Sequence, residues 1–328
     1  MRAITHRFLQ SNYLSQIRSY CNCSIKPTTI FLSQKACLQD WWSRKCRPSL
    51  NMKEMELLLG GALEDVGGFL FRPDLKYLDP FVMLDEFSVS PPAGFPDHPH
   101  RGFETVTYML QGAFAHQDFS GHKGIIRTGD VQWMTAGRGI IHSEMPAGEG
   151  PQWGLQLWIN LSSRDKMIEP RYQEVPSEDI MRAEEDGVEV RVIAGEAMGV
   201  RSPVYTRTPT MYLDFTLKPG AQLHQSIPET WNSFVYVIDG EGLFGSLNTN
   251  PVSAHHLLVL GPGDGLTVWN QSSRKLRFAV IGGQPLNEPV VQYGPFVMNS
   301  QAEIDQAIED YQLSKNGFEM AKYWRSEN

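Results

Sequence analysis

The feature that most constrains this chain is a long series of short alternating segments broken by glycine and proline. From about residue 66 onward, Glu104–Leu110, Gly154–Leu161, Val188–Ala194, Met211–Leu217, Phe234–Ile238, His255–Leu260 and Leu276–Ile281 follow this pattern. A period of two puts apolar side chains on one face of a strand. The 29 Gly and 21 Pro leave few uninterrupted runs long enough for helices. The chain is therefore expected to be all-β for most of its length. One stretch departs from this. Ser300–Asn316 carries Ile304, Ile308 and Tyr311 at helical spacing, with Ser300 placed as N-cap and Glu303 following it at capping-box distance.

The strand-rich part repeats. TVTYMLQGAFAH (105–116) is matched by SFVYVIDGEGLFG (233–245), RTGDVQW (127–133) by GPGDGLTVW (261–269), and GLQLWIN (154–160) by RFAVIGG (277–283). Two copies of one antiparallel unit predict two β-barrels in tandem. The acidic, turn-rich SEDIMRAEEDG (177–187) marks the joint. The expected organisation is an N-terminal extension (1–51), a first barrel (52–185) and a second barrel (186–328) that ends in the short helix.

The extension differs sharply in charge. Residues 1–50 hold eight Lys/Arg and one acid, Asp40, whereas the whole chain holds 29 basic and 37 acidic residues. The remainder thus has 21 basic and 36 acidic residues, a net charge of −15 against +7 for the first fifty. A basic, Ser-rich start almost free of acids has the composition of an organelle transit peptide. A disordered basic tail fits the same residues, as does translation from Met52. The transit-peptide reading sends the body to a mitochondrion or plastid. Cys21, Cys23, Cys37 and Cys46 all lie in this extension, so any metal in the body must use nitrogen and oxygen ligands. The acidic body argues against direct contact with nucleic acid. No apolar run is long enough for a transmembrane helix, and no membrane association is expected.

In DHPHRGFETVTYML (97–110), His98 and His100 share a strand face, with Pro99 turned away. Further on, TAGRGIIHSEMP (135–146) places His142 and Glu144 in the same relation. A polar turn or satisfied core histidines explain either pair alone. Together, at barrel-like separation, they can aim three imidazoles and one carboxylate into one cavity. That donor set suits Fe(II), Mn, Ni, Cu or Zn. On an octahedral ion it leaves two positions for water, O₂ or a chelating substrate. Glu104 lies four residues after His100. On one continuous strand it shares the histidine face and is placed to hydrogen-bond a ligand imidazole.

DHPHRGFETVTYML, GHKGIIRTGDVQWMTAGRGIIHSEMP, VYTRTPTMYLDF and GPFVMN together resemble the pirin family of the cupin superfamily, from about Leu78 to the C-terminus. The resemblance implies a bicupin with one non-haem iron in its N-terminal barrel, other first-row divalent metals being alternatives. It implies His98, His100, His142 and Glu144 as the ligands. It further implies a metal-dependent regulatory protein, a transcription co-regulator or redox sensor that works through protein partners in the nucleus or cytoplasm. The alternative it carries is a quercetin 2,3-dioxygenase-like flavonol oxygenase, with a small aromatic ligand and Glu144 as ligand and catalytic base. LLLGGALEDVGGFLFRPDLKYLDPF (57–81) departs from the family's usual first strand.

Several neighbouring residues carry expectations of their own. Arg101 and Arg138 flank the ligand segments and are expected in surface salt bridges; Asp97 or Glu144, or an anionic ligand, are the alternative partners. His116 and His122 are read as exposed histidines of a loop, with the cavity mouth as the other reading. His255 and His256 are read as structural. Trp133, Trp153 and Trp158 are read as core, with one available to wall a flat ligand. Aligning the repeats on their tyrosines sets Ser226 and Pro228 opposite His98 and His100. Aligning them on their GlyAsp turns sets Leu276 opposite His142. The second barrel is therefore expected to hold no metal.

Overall fold

From Phe81 to Val175 the strands form two antiparallel sheets. One has the order Arg171–Val175, Val131–Thr135, Phe103–Gln111, Gln152–Asn160, Phe81–Val89. The other has the order Phe95–His100, Ile140–Pro146, Ala113–Asp118, Lys123–Arg127. The computed structural model describes residues 55–56 and 77–327. The 1–51 extension and residues 57–76 of the divergent segment lie outside the described residues.

Register sorts the side chains of the first sheet onto two faces. Thr105 stands opposite Met134 and Trp158, and Thr107 opposite Gln132 and Gln156. Paired residues on neighbouring strands point the same way, and this set points into the barrel, where Thr107 and Gln156 reach Glu144 of the facing sheet. The alternate residues, among them Val106, Trp133, Leu155 and Leu157, are buried on the outer face against Tyr212, Phe234 and Ile281 of the second half. Loss of apolar surface from water fastens the two barrels along this face. Polar groups also pin the packing, among them Asp214, which accepts hydrogen bonds from Tyr108 Oη (2.6 Å) and Arg277 Nη2 (2.7 Å).

The second half repeats the plan. Its larger sheet contains His256–Leu260, Asn232–Asp239, Leu276–Gly283, Thr210–Leu217 and Val188–Ala194 in that order. Its smaller sheet has the order Gln222–Ser226, Gly265–Trp269, Glu241–Phe244, Val252–Ser253. All seven expected strands are present, and the protein is a pair of tandem all-β barrels. Two details of the organisation differ from expectation. Met55–Glu56 pairs with the second-half strand His256–Leu260, and Met181–Glu185 folds back on Val188–Ala194. Asp186 and Gly187, at φ 48° and 79°, make the tight hairpin turn that joins this last pair. The stretch read as a joint thus supplies an outer strand and the hairpin turn of the second barrel.

The GlyAsp turns also head non-equivalent strands. Gly129–Asp130 precedes Val131–Thr135 of the larger sheet, whereas Gly263–Asp264 precedes Gly265–Trp269 of the smaller one. Leu276 begins the counterpart of Gln152–Asn160, so it does not occupy the place of His142. The pairing of Gln222–Ser226 with Gly265–Trp269 copies that of the His98 and His142 strands, and there His224 meets Thr267 (3.0 Å). The interior of the second barrel is apolar, with the Phe278 ring in contact with both Phe215 and Phe244.

The helix spans Gln301–Leu313. Ser300 caps it by accepting from the Glu303 N–H, as expected, and Ser314 at φ 53° ends it three residues before Gly317. Ile304 and Ala307 pack on Ile141, Phe296, Met298 and Phe318. The helix therefore rests on the strand that carries His142.

Candidate metal centre

The smaller sheet of the first barrel brings the two histidine motifs together. His98 pairs directly with His142 across neighbouring antiparallel strands. His98 and His100 share a face by strand periodicity, as do His142 and Glu144. The three rings form a triangle with centroid separations of 4.7 Å (His98–His100), 4.4 Å (His98–His142) and 5.0 Å (His100–His142). One nitrogen from each lies within 4.8 Å of the others. Glu144 lies beside His142, with Oε2 3.9 Å from Nε2, next to the three-histidine group.

The protonation chemistry fits a cation. Both ring nitrogens of His100 and of His142 are buried without a hydrogen-bond partner. Buried nitrogens of this kind are costly unless something binds them. Burial pushes all three imidazoles below the usual histidine range, so they are neutral and ready to ligate at pH 7. The Nδ1–H of His98 donates to the Pro96 carbonyl (2.7 Å), which leaves Nε2 as the lone-pair nitrogen. Thr107 Oγ1 and Gln156 Nε2 each donate to the Glu144 carboxylate at 3.2 Å. Trp158 Nε1 in turn donates to Gln156 Oε1 (2.9 Å). These residues fit a divalent first-row metal held by His98, His100, His142 and Glu144.

The walls are aromatic. Trp158 and Phe103 each stand edge-on to His100 at 5.2 Å. Of the three tryptophans, Trp158 faces the site, Trp133 is core, and Trp153 donates to Glu86 (2.8 Å). Asp85, opposite Gln156 on the neighbouring strand, shares the inner face. Burial, reinforced by Glu86, pushes its carboxyl up to about 6. Sequence reading passed over Thr107, Gln156 and Asp85. The signal for Gln156 and Trp158 was present in GLQLWIN, where they have the same parity.

Several expectations need correction. Glu104 does not hydrogen-bond a ligand imidazole. The chain leaves the smaller sheet at His100 and enters the larger one at Phe103, through Gly102 at φ 89°. The break resets the strand parity, and Glu104 faces outward, where it accepts from Thr135 Oγ1 (2.6 Å). Arg101 makes no surface salt bridge and pairs with neither Asp97 nor Glu144. It is buried, with Nη1 2.8 Å from Asp310, Nε donating to the Arg138 carbonyl (2.6 Å) and Nη2 to the Asn316 carbonyl (2.5 Å). Arg138 does lie at the surface, near Glu169 and Glu319. His116 sits on a strand and is buried, whereas His122 is partly exposed. His255 Nδ1 lies 2.8 Å from the Glu86 carboxylate and joins the contact between barrels.

Two cupin barrels, one polar inside with a histidine triangle and one packed with apolar side chains, define a bicupin with a candidate metal centre in its first barrel. Residues 63–159 match the family model for pirin, and residues 212–317 match that for the pirin C-terminal cupin domain. The chain belongs to the pirin family. It is 74% identical over 255 residues to a pirin-like protein of Solanum lycopersicum, covering 78% of this chain and 88% of the other. It is 56% identical over 257 residues to pirin of Homo sapiens, covering 78% and 89%. Among solved structures it is similar to a quercetin 2,3-dioxygenase from Acinetobacter baumannii. That match has a TM-score of 0.71 and 36% identity, over 82% of this chain and 96% of that one.

Proposed function

We propose that the protein holds one non-haem iron on His98, His100, His142 and Glu144 and uses it as a quercetin 2,3-dioxygenase-like flavonol oxygenase. The histidine triangle with unpartnered buried nitrogens carries this reading, and the similarity to a bacterial quercetin 2,3-dioxygenase supports it. Bound iron supplies a Lewis acid for the flavonol oxygen and an electron path to O₂. Glu144, oriented by Thr107 and Gln156, accepts the proton of the flavonol 3-hydroxyl. Trp158 and Phe103 offer the flat ring a wall and keep water from the imidazoles. The test is O₂ uptake with quercetin by iron-loaded protein. Turnover above that of a Glu144→Ala control is expected; equal rates refute the oxygenase.

A second reading, regulation through protein partners, is favoured by Arg101. It directly follows His100, and its guanidinium is tied to Asp310 of the surface helix and to the Asn316 carbonyl. A one-unit change of charge at the metal has a short route to that helix. With net charge −15 beyond residue 50, the body suits a basic protein partner and repels nucleic acid. Hydrogen exchange in Gln301–Leu313 is expected to differ between the Fe(II) and Fe(III) forms, and identical protection refutes the switch. This role requires the nucleus or cytoplasm. N-terminal sequencing of the native protein that finds a cleaved leader near residue 51 sets it aside.

A further inference from the structure

We propose that the first barrel carries a second cation site, formed by His116, His122 and Glu174 and suited to a divalent ion such as Zn(II). The three residues come from separate parts of the barrel wall. His116 lies on Ala113–Asp118, His122 just before Lys123–Arg127, and Glu174 on Arg171–Val175. The last two strands are the free edges of the two facing sheets. One donor atom from each residue lies within 4.8 Å of the others.

The local geometry points to a ligand. His116 is 1% exposed, and its Nε2 lies 2.7 Å from Glu174 Oε1. Yet that nitrogen has no hydrogen-bond partner, so the contact lies off the imidazole N–H direction. A buried nitrogen turned toward a carboxylate without a hydrogen bond is an unsatisfied group that a cation resolves. His122 Nε2 lies 3.2 Å from the same oxygen, and Gln132 Nε2 donates to it at 2.9 Å, which orients the carboxylate from behind. His122 is further fixed by stacking on Tyr172, with centroids 4.1 Å apart. Gly124 keeps the space open, since a Cβ there would fall 2.5 Å from His116 Nε2.

Two imidazoles and one carboxylate are a usual donor set for Zn(II) or Co(II), with water completing the coordination. His122 and Glu174 are each 35% exposed, so an ion has a path in. The site is separate from the histidine triangle. His116 stands opposite Glu144 in strand register, but its Nε2 turns to Glu174 on the facing sheet. An ion here clips together two sheet edges. The proposal does not rest on iron or on oxygenase activity.

Calorimetric titration of metal-stripped full-length protein with Zn(II), checked by native mass spectrometry, provides the test. Wild type is expected to bind two equivalents, and His122→Ala and Glu174→Gln one each. A His98→Ala/His142→Ala variant keeps one equivalent and loses it when His122→Ala is added. The wild-type ligand field of the first Co(II) equivalent is expected to persist in His122→Ala, which separates loss of the second site from misfolding. A single equivalent in wild type overturns the proposal and leaves the cluster as an ion pair only. So does a second equivalent that survives His122→Ala.

Discussion

Replacing Arg101 with methionine tests whether the C-terminal helix is bolted to the strand that ends at His100. The side chains of Arg101 and Asp310 are 2% and 1% exposed, and Nη1 lies 2.8 Å from Oδ2. Removing one partner of a buried ion pair typically costs about 3–5 kcal/mol, because the other charge is stranded. Asp310 is not left bare, since Gln306 Nε2 and Asn316 Nδ2 still donate to Oδ1 at 2.8 and 2.9 Å. That retained support puts the loss near the lower figure, about 3 kcal/mol. Urea unfolding of metal-loaded protein measures it directly, and the thermal midpoint is expected to fall by about 6 °C.

A double-mutant cycle isolates the pair. Arg101→Met/Asp310→Leu removes both charges and replaces them with apolar volume beside Phe318, over whose ring the guanidinium sits at 4.7 Å. The Arg138 and Asn316 carbonyls still lose their donors, so the double variant is less stable than wild type but more stable than Arg101→Met. A coupling energy of about 2 kcal/mol is expected. Strict additivity, or a single-variant loss below about 1 kcal/mol, refutes the claim that this pair holds the helix on the strand.

Three further outcomes follow from the same structure. Because burial keeps His98, His100 and His142 neutral at pH 7, metal uptake is expected to release almost no protons from them; calorimetry in buffers of different ionisation enthalpy measures this, and release of a proton per imidazole contradicts it. Asp85, raised to about 6, favours its protonated form when folded, so its contribution to stability falls as pH rises from 3.8 to about 6. Asp85→Asn is therefore expected to add about 3 kcal/mol above pH 6 and nothing below pH 3.8, a difference read from paired pH–stability curves. Gly102→Ala places a Cβ 2.1 Å from the Val297 carbonyl at a φ of 89°, with an expected loss of about 3 kcal/mol by denaturant unfolding; a neutral result contradicts the geometry of the strand break.

That same glycine marks where sequence reading reached its limit. Alternation located the strands because each barrel wall has an apolar or polar face, and period two reports faces directly. It put His98 with His100, and His142 with Glu144, on shared faces for the same reason, since each pair lies within one strand. It misplaced Glu104 because counting by twos across Arg101–Gly102 assumes one continuous strand, and the chain changes sheets there. The GlyAsp turns failed similarly: a turn signal states that the chain reverses, but not which sheet the next strand joins. Only the pairing register separates Val131–Thr135 from Gly265–Trp269.

Contacts distant in sequence left the weakest trace. Arg101 reads as a surface cation because neither acid near it in sequence, Asp97 or Glu104, is its partner; Asp310, which is, lies 209 residues away. Lys166 is comparable. It is buried, and its Nζ donates to Asn160 Oδ1 and to the carbonyls of Gly102 and Val297 at 2.6–2.9 Å. Burial pushes its ammonium down to about 7, yet three acceptors around one nitrogen favour the charged form. Both cations hold the His100–Gly102 bend against the C-terminal segment, one through a carboxylate and carbonyls, the other through carbonyls and an amide. A histidine triangle needs its strands fixed to within tenths of an ångström to ligate one ion. The side chains that fix it are those whose roles depend on chain returning from far away, so the candidate ligands are legible locally while their support becomes legible only in the fold.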